Sequence, residues 1–364
     1  LGGPLYYPPY KEIEGETRGL LKKLMNTENG PMLIPGSATY GEEAAMISVL
    51  EPGDKVLTVN SGTFGQVLAD LARVTGAQPV EIKLEQGHAV DPGEIEQRLS
   101  EDKDIKMVAV VHVETSMGIM NPVGEIGEVL RRFPDVLYMV DAVSSLGGTE
   151  VRVDDWGIDI CYSGSQKCIS CPPGLAPFTV NQKSMDTLKN RSREVSSFYL
   201  DLSLLAKYWL ADGSRVYHHT APACMFYALH EALVLIAEEG LEARIQRHLK
   251  HGAALHAGLE AMGLTLHAQP GHRLSTLTTV RVPEGIDDAR IRQRLLNEYN
   301  IEIGGGLGAL KGRIWRIGLM GYSSTEQNIL LFLSALEKLL VEDGYKMEPD
   351  AGVAAAAALL KKKD

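Results

Sequence analysis

A chain of 364 residues, 45% hydrophobic and 23% charged, has an ordinary globular composition and is too long for one small core, so two domains are expected. Its 47 acidic residues against 36 basic ones leave a formal net charge of -11, and no Lys/Arg stripe interleaved with aromatics is present, which argues against a nucleic-acid partner. No apolar run approaches the roughly 20 residues that span a bilayer, and four cysteines, at positions 161, 168, 171 and 224, do not make a disulfide framework, so neither a membrane nor secretion is expected and the cytoplasm is the default compartment.

The sequence begins at Leu1 without a methionine, in LGGPLYYPPY, which points to missing upstream residues. From Lys55 to about Val180 short apolar runs alternate with longer amphipathic ones. Strands are predicted at KVLTV (from Lys55), PVEIKL (from Pro79), MVAVVHV (from Met107), VLYMV (from Val136), IDICYS (from Ile158) and APFTV (from Ala176). Helices are predicted between them, at GQVLADLARVTG (from Gly65), DPGEIEQRLS (from Asp91) and GEIGEVLRRF (from Gly124). This βαβ alternation predicts an α/β fold with a mainly parallel sheet buried on both faces. The segment from about Lys183 to Gly240, with its helical FYALHEALVLIAEEG, leads back over that sheet.

From Leu241 the pattern changes to a long helix, a strand-like STLTTVRV (from Ser275) and helices near Asp287 and Thr325. The expected organisation is therefore a large domain over residues 1–240, a smaller C-terminal α+β domain over 241–345, and a tail over 346–364. The run AGVAAAAALLKKKD from Ala351 reads as a frayed helix or a disordered end.

In doubly wound sheets ligands sit at the carboxyl ends of the strands. After VLYMV comes Asp141, an acid placed where an unpaired buried carboxylate is costly. After ICYSG comes Lys167, at a turn beside the same crevice. Pyridoxal phosphate explains both: its aldehyde requires a lysine amine, and its ring nitrogen requires a carboxylate. The plain alternative is a solvated turn lysine and a helix-capping aspartate. Upstream, Ser37, Ala38 and Thr39 precede the helix-like GEEAAMISVL, where free N–H groups bind a phosphate or a hydroxyl caps the helix. Phe64, beside glycines after a strand, either stacks on a flat heterocycle or belongs to the core.

The stretches HVETSMG (His112 to Gly118), VDAVSSLGG (Val140 to Gly148), YSGSQKCISCPPG (Tyr162 to Gly174), YHHTAP (Tyr217 to Pro222), IEIGGGLG (Ile301 to Gly308) and WRIGLMG (Trp315 to Gly321) resemble class V aminotransferases of the alanine-glyoxylate and serine-pyruvate group, in order, over about Asn26 to Leu340. The resemblance implies a fold-type I pyridoxal-phosphate enzyme with Lys167 in Schiff-base linkage to the cofactor and Asp141 on its pyridine nitrogen. It implies Val143 and Phe64 on the two ring faces, Ser37, Ala38, Thr39 and Gln166 as the phosphate cradle, and Ser116 on the pyridine hydroxyl. Tyr217 and Thr220 resemble residues that reach the phosphate from the partner subunit of a homodimer, and Arg316 resembles the fork that grips the substrate carboxylate.

Two departures stand out. The Gly-Pro-Gly strand with which the family usually begins is not seen, and Ala38 stands where relatives often have glycine, which an alanine replaces only if the backbone needs no positive φ. The resemblance implies transfer between a small amino acid, alanine or serine, and glyoxylate or pyruvate, with a ureidoglycine-glyoxylate aminotransferase as the alternative. A cysteine desulfurase fits less well, because Gln166 precedes the lysine where those enzymes have histidine. A non-enzymatic nucleotide-binding module would need a glycine-rich fingerprint that Gly36–Gly41 lacks. No metal is expected: Cys168-Ile-Ser-Cys171 has no second pair, and His218 and His219, if on a strand, face opposite sides.

Overall fold

The computed structural model describes residues 8–210 and 216–362. Helix α1 (Pro8–Met25) leads to a short strand, β1 (Met32–Pro35), and then to the predicted alternation. Its elements are α2 (Ala38–Val49), β2 (Lys55–Asn60), α3 (Thr63–Val74), β3 (Gln78–Lys83), α4 (Pro92–Glu101) and β4 (Ile105–Val111). A two-residue hairpin, β5 (Val113–Glu114) and β6 (Ile119–Met120), precedes α5 (Val123–Leu130), β7 (Leu137–Asp141), β8 (Ile160–Tyr162) and β9 (Leu175–Val180).

Seven strands form one sheet in the order β1-β9-β8-β7-β4-β2-β3. The pairings among β3, β2, β4, β7 and β8 are parallel, whereas β9 and β1 close one edge in antiparallel register. Met107–Val111 of β4 and all of β7 are buried, as expected for central strands covered on both faces. The mainly parallel α/β sheet predicted from the sequence is present.

Beyond β9 come α6 (Gln182–Lys189), α7 (Leu202–Trp209), α8 (Ala223–Glu239) and α9 (Leu241–Ala261). The remaining elements are β10 (Leu277–Arg281), α10 (Asp288–Tyr299), β11 (Gly304–Gly305), β12 (Ile314–Gly318), α11 (Glu326–Glu342) and α12 (Ala351–Leu360). Strands β10, β12 and β11 make a small antiparallel sheet, and its Trp315 is fully buried in a second hydrophobic core that includes Leu255 of α9 and Leu336 of α11.

Of the two readings of the run from Ala351, the helix is the one found. Ala356 and Leu360 are buried in the second core, so α12 packs with the small sheet's helices instead of trailing as a tail. Helix α5 stops at Leu130, so the arginines expected to finish it lie beyond its end. Strand β1 escaped the sequence reading because MLIP is too short to show a period, and its place comes from pairing with β9. Among the described residues no helix is long and apolar enough to cross a membrane.

Candidate active site

Strands β2 and β4 are neighbours whose following connections run to opposite sides of the sheet, which opens a crevice at their carboxyl ends. Asp141, the last residue of β7, lies in register with Val111 of β4 and Tyr162 of β8. It accepts hydrogen bonds from the Val143 N–H at 2.7 Å and the Tyr162 hydroxyl at 3.2 Å. Burial pushes its carboxyl up to about 7 against the pull of these two donors, and the charge of Glu114 adds to the rise. A carboxyl in this state is ready for a cationic partner, and a protonated pyridine nitrogen is one.

Lys167 sits on the turn that follows β8, closed by a bond from the Ser170 N–H to the Lys167 carbonyl at 2.9 Å and by Ser170 at φ 65. The side chain is partly buried. Burial lowers its amine below the usual lysine range, and the charge of Arg316 lowers it further. Both Asp141 and Lys167 line one cavity of about 240 Å³. The acid, the amine of reduced basicity and the space between them fit the ring and aldehyde of pyridoxal phosphate.

The N-terminus of α2 opens onto the same cavity. Ser37 is the N-cap in extended conformation and its hydroxyl makes no capping bond, leaving it and the N–H groups of Ala38 and Thr39 available to an anion, while the Tyr40 N–H is bonded to the Ser37 carbonyl at 3.0 Å. Ala38 is the first helical residue and needs no positive φ, so the alanine is accommodated; the strained position is Gly36 at φ 140, where a Cβ would lie 2.7 Å from the Tyr40 ring. On the facing side, Phe64, the second residue of α3, is partly exposed on the cavity wall.

Eight of the residues singled out from the sequence share this wall: Ser37, Ala38, Thr39, Phe64, Asp141, Val143, Gln166 and Lys167. Four do not. Ser116 gives its hydroxyl hydrogen to Glu114 at 2.6 Å and accepts from the Thr63 N–H at 2.9 Å. Arg316, on β12, donates from Nε to the Gly305 carbonyl at 2.8 Å. Tyr217 and Thr220 are exposed and bonded to each other at 3.0 Å. Between them His218 and His219 do not lie on a strand; both are buried, with their Nδ1 atoms 2.8 Å apart, so the expectation of opposite faces does not hold.

Three further residues were missed. Glu114 accepts from the N–H groups of Phe64, Gly65 and Ser116, each at 3.0 Å, and so binds the start of α3 to the hairpin. Tyr162 holds Asp141, and Glu42 lines the cavity from α2. Glu42 had a signal in the sequence, since it falls on the buried stripe of α2 with Ala45, Met46 and Val49. Of the cysteines, Cys161, Cys168 and Cys171 are buried and Cys224 is exposed at the start of α8.

The Aminotransferase class-V family matches residues 10–329. The crystal structure of ureidoglycine-glyoxylate aminotransferase from Bacillus subtilis superposes with a TM-score of 0.95 at 40% identity, covering 100% of this chain and 93% of that one. The alanine-glyoxylate aminotransferase of Nostoc sp. superposes with a TM-score of 0.89 at 42% identity, covering 93% of this chain and 89% of that one. In sequence, alanine-glyoxylate aminotransferase of Callithrix jacchus is 39% identical over 332 residues, 90% of this chain and 80% of the relative. A family match that takes in both strand ends of the crevice, with likeness of this extent in sequence and fold, shows that the chain belongs to the class V aminotransferases and is a pyridoxal-phosphate-dependent enzyme.

Proposed function

We propose that this enzyme moves an amino group from alanine or serine to glyoxylate or pyruvate, with its cofactor held between Asp141 and Lys167. The observation that carries the reading is one acid and one lysine of reduced basicity, on neighbouring strand ends, lining one cavity. The bound cofactor supplies an electron sink for the electrons left when an amino acid loses its α-proton. Asp141 is the charged partner that keeps the pyridine nitrogen protonated. Lys167 is the covalent anchor and then the base that moves the proton; its lowered pKa leaves more of the amine neutral, the form a base requires.

Ser37, Ala38 and Thr39, with Gln166, receive the phosphate at the start of α2, while Phe64 and Val143 take the two faces of the ring. Ser116 keeps one lone pair for the ring hydroxyl after its bonds to Glu114 and Thr63. Tyr217 and Thr220 reach the phosphate site of a second copy in a homodimer, a reading supported by the exposed Tyr40, Phe198, Tyr217 and Tyr227. The two cores support a division at Gly240, with α12 belonging to the smaller domain. Unpaired cysteines support the cytoplasm, and the net charge of -11 argues against nucleic acid.

Arg316 binds the α-carboxylate. Bonded through Nε to Gly305, it keeps its terminal nitrogens for a carboxylate fork. Arg292, whose guanidinium lies beside Gly305 on the same sheet, is tied to Asp288 by bonds of 2.8 and 3.1 Å, so it is not free to receive a second, distal carboxylate. Small monocarboxylic substrates are therefore favoured over glutamate or aspartate. The likeness to the Bacillus subtilis enzyme supports (S)-ureidoglycine as a second candidate donor, with glyoxylate as acceptor. The test is to incubate the holoenzyme with alanine, serine, (S)-ureidoglycine and glutamate separately, follow conversion of the cofactor to its amine form, then add glyoxylate, pyruvate or 2-oxoglutarate. Fast conversion by glutamate with none by the other three would overturn the proposal.

A further inference from the structure

Glu42 is 5% exposed, and its Oε1 is buried without a hydrogen-bond partner. It occupies the fifth position of α2, one turn after Ala38, and both side chains line the cavity that holds Asp141 and Lys167. Side chains on a helix lean toward its N-terminus, so the carboxyl enters the space between the phosphate-binding end of α2 and Asp141. Burial above all, with the negative charges of Asp141 and of its neighbour Glu43 adding to it, pushes its carboxyl up to about 9. Helix α2 lies directly on the sheet at Gly41, where a Cβ would be 3.4 Å from Phe178 and Tyr162.

An acid in this position costs the cofactor-free protein stability, since an apolar side chain of similar length would leave no orphaned oxygen. The cost is offset if a ligand supplies the missing partner. A carboxylate would repel an anionic ligand already facing Asp141, but a protonated carboxyl is a neutral group with one O–H to donate. We propose that Glu42 is a cofactor-binding residue: it enters the cavity as a neutral carboxylic acid and hydrogen-bonds the bound pyridoxal phosphate, leaving Asp141 as the charged partner. This rests on the reading of the cavity as the cofactor site.

The test strips wild type, E42Q and E42M of cofactor, titrates each with pyridoxal phosphate by tryptophan fluorescence, and measures the melting temperature of the cofactor-free proteins. E42M should bind about tenfold more weakly, the equivalent of one hydrogen bond, while melting about 2 to 4 °C higher without cofactor because the orphaned oxygen is gone. E42Q, which is neutral and still donates, should bind within about threefold of wild type. Wild-type affinity in E42M, a lower melting temperature of cofactor-free E42M, or binding by E42Q as weak as by E42M would each overturn the role of Glu42. Failure of wild type itself to bind pyridoxal phosphate would instead overturn the cofactor reading, and this inference with it.

Discussion

Replacing Asp141 by asparagine separates what this residue does for cofactor from what it costs the fold. Moving a carboxyl from its ordinary 3.8 to about 7 corresponds to about 4 kcal/mol between its two protonation states. Because the folded-state value is raised, the contribution to stability is complete below about 3.8 and is lost as pH rises through about 7. Glu42, held protonated in the fold until about 9 and ionised above about 4.5 when unfolded, adds a slope of the same sign between pH 5 and 8 in both proteins, so it is the difference between wild type and D141N that belongs to Asp141. Asparagine is neutral throughout, its oxygen can still accept from the Val143 N–H, and the Tyr162 hydroxyl can turn to accept from its amide. Cofactor-free D141N should therefore match wild type only below about pH 4, exceed it by about 1 to 2 kcal/mol at pH 5 and exceed it by up to about 4 kcal/mol at pH 8. With cofactor this advantage narrows, since a charge-assisted bond of about 1.5 to 3 kcal/mol is lost and affinity falls about 10- to 100-fold. Urea denaturation midpoints at pH 5, 6.5 and 8, with and without pyridoxal phosphate, read both effects. A cofactor-free D141N less stable than wild type at pH 8 would refute the reasoning.

Lys167→Ala should abolish covalent attachment of the cofactor, and borohydride reduction of wild type followed by peptide mapping should find the label on Lys167; a label elsewhere overturns the assignment. Arg316→Lys keeps a charge but loses the planar fork, so kcat/KM for alanine should fall about 10- to 100-fold, with the loss carried by substrate affinity; unchanged kinetics would remove Arg316 from the site. Sedimentation should show a dimer, and Thr220→Ala should hold cofactor less tightly without changing the oligomeric state; a fully active monomer contradicts this arrangement.

Asp141 and Lys167 were legible because one ends and the other follows a strand whose apolar run is continuous, and a parallel sheet brings such positions to one edge. Asp91, Asp287 and Thr325 were legible as helix starts, and each accepts a capping bond from the first turn of its helix. Ser116 shows where one-dimensional reading stops. Its spacing from Glu114 marks a tight turn, but only the fold brings the N-terminus of α3 onto that turn, where the two side chains receive the N–H groups of Thr63, Phe64 and Gly65. Glu42 lay in plain view as an acid on an apolar stripe, yet a glutamate near a helix start ordinarily answers the helix dipole, and burial alone separates the two meanings.

The separation between Lys167 and Arg316 depends on groups that no local pattern announces. Arg244, in the first turns of α9, reads in sequence as a solvated helix charge, but it is 6% exposed. Its guanidinium donates to the Gly147 carbonyl at 2.8 Å, to the Cys168 carbonyl at 2.7 Å and to Glu239 at 2.6 Å. One side chain thus ties the connection after β7 to the turn that carries the lysine. Just past β12, the Tyr322 N–H donates to Ser170 Oγ at 2.9 Å and the Gly321 N–H to His248 Nε2 at 2.9 Å. Gly321 is at φ 57, and a Cβ there would come within 2.6 Å of the Cys168 carbonyl, so the strand bearing Arg316 can rest on the lysine turn only with glycine at this position. Removing one partner from a buried set of charged hydrogen bonds costs about 3 to 5 kcal/mol, comparable to a large part of a protein's net stability. The second core therefore does more than present Arg316: it holds the turn on which Lys167 stands, and the candidate site keeps its spacing only while the two cores stay in contact.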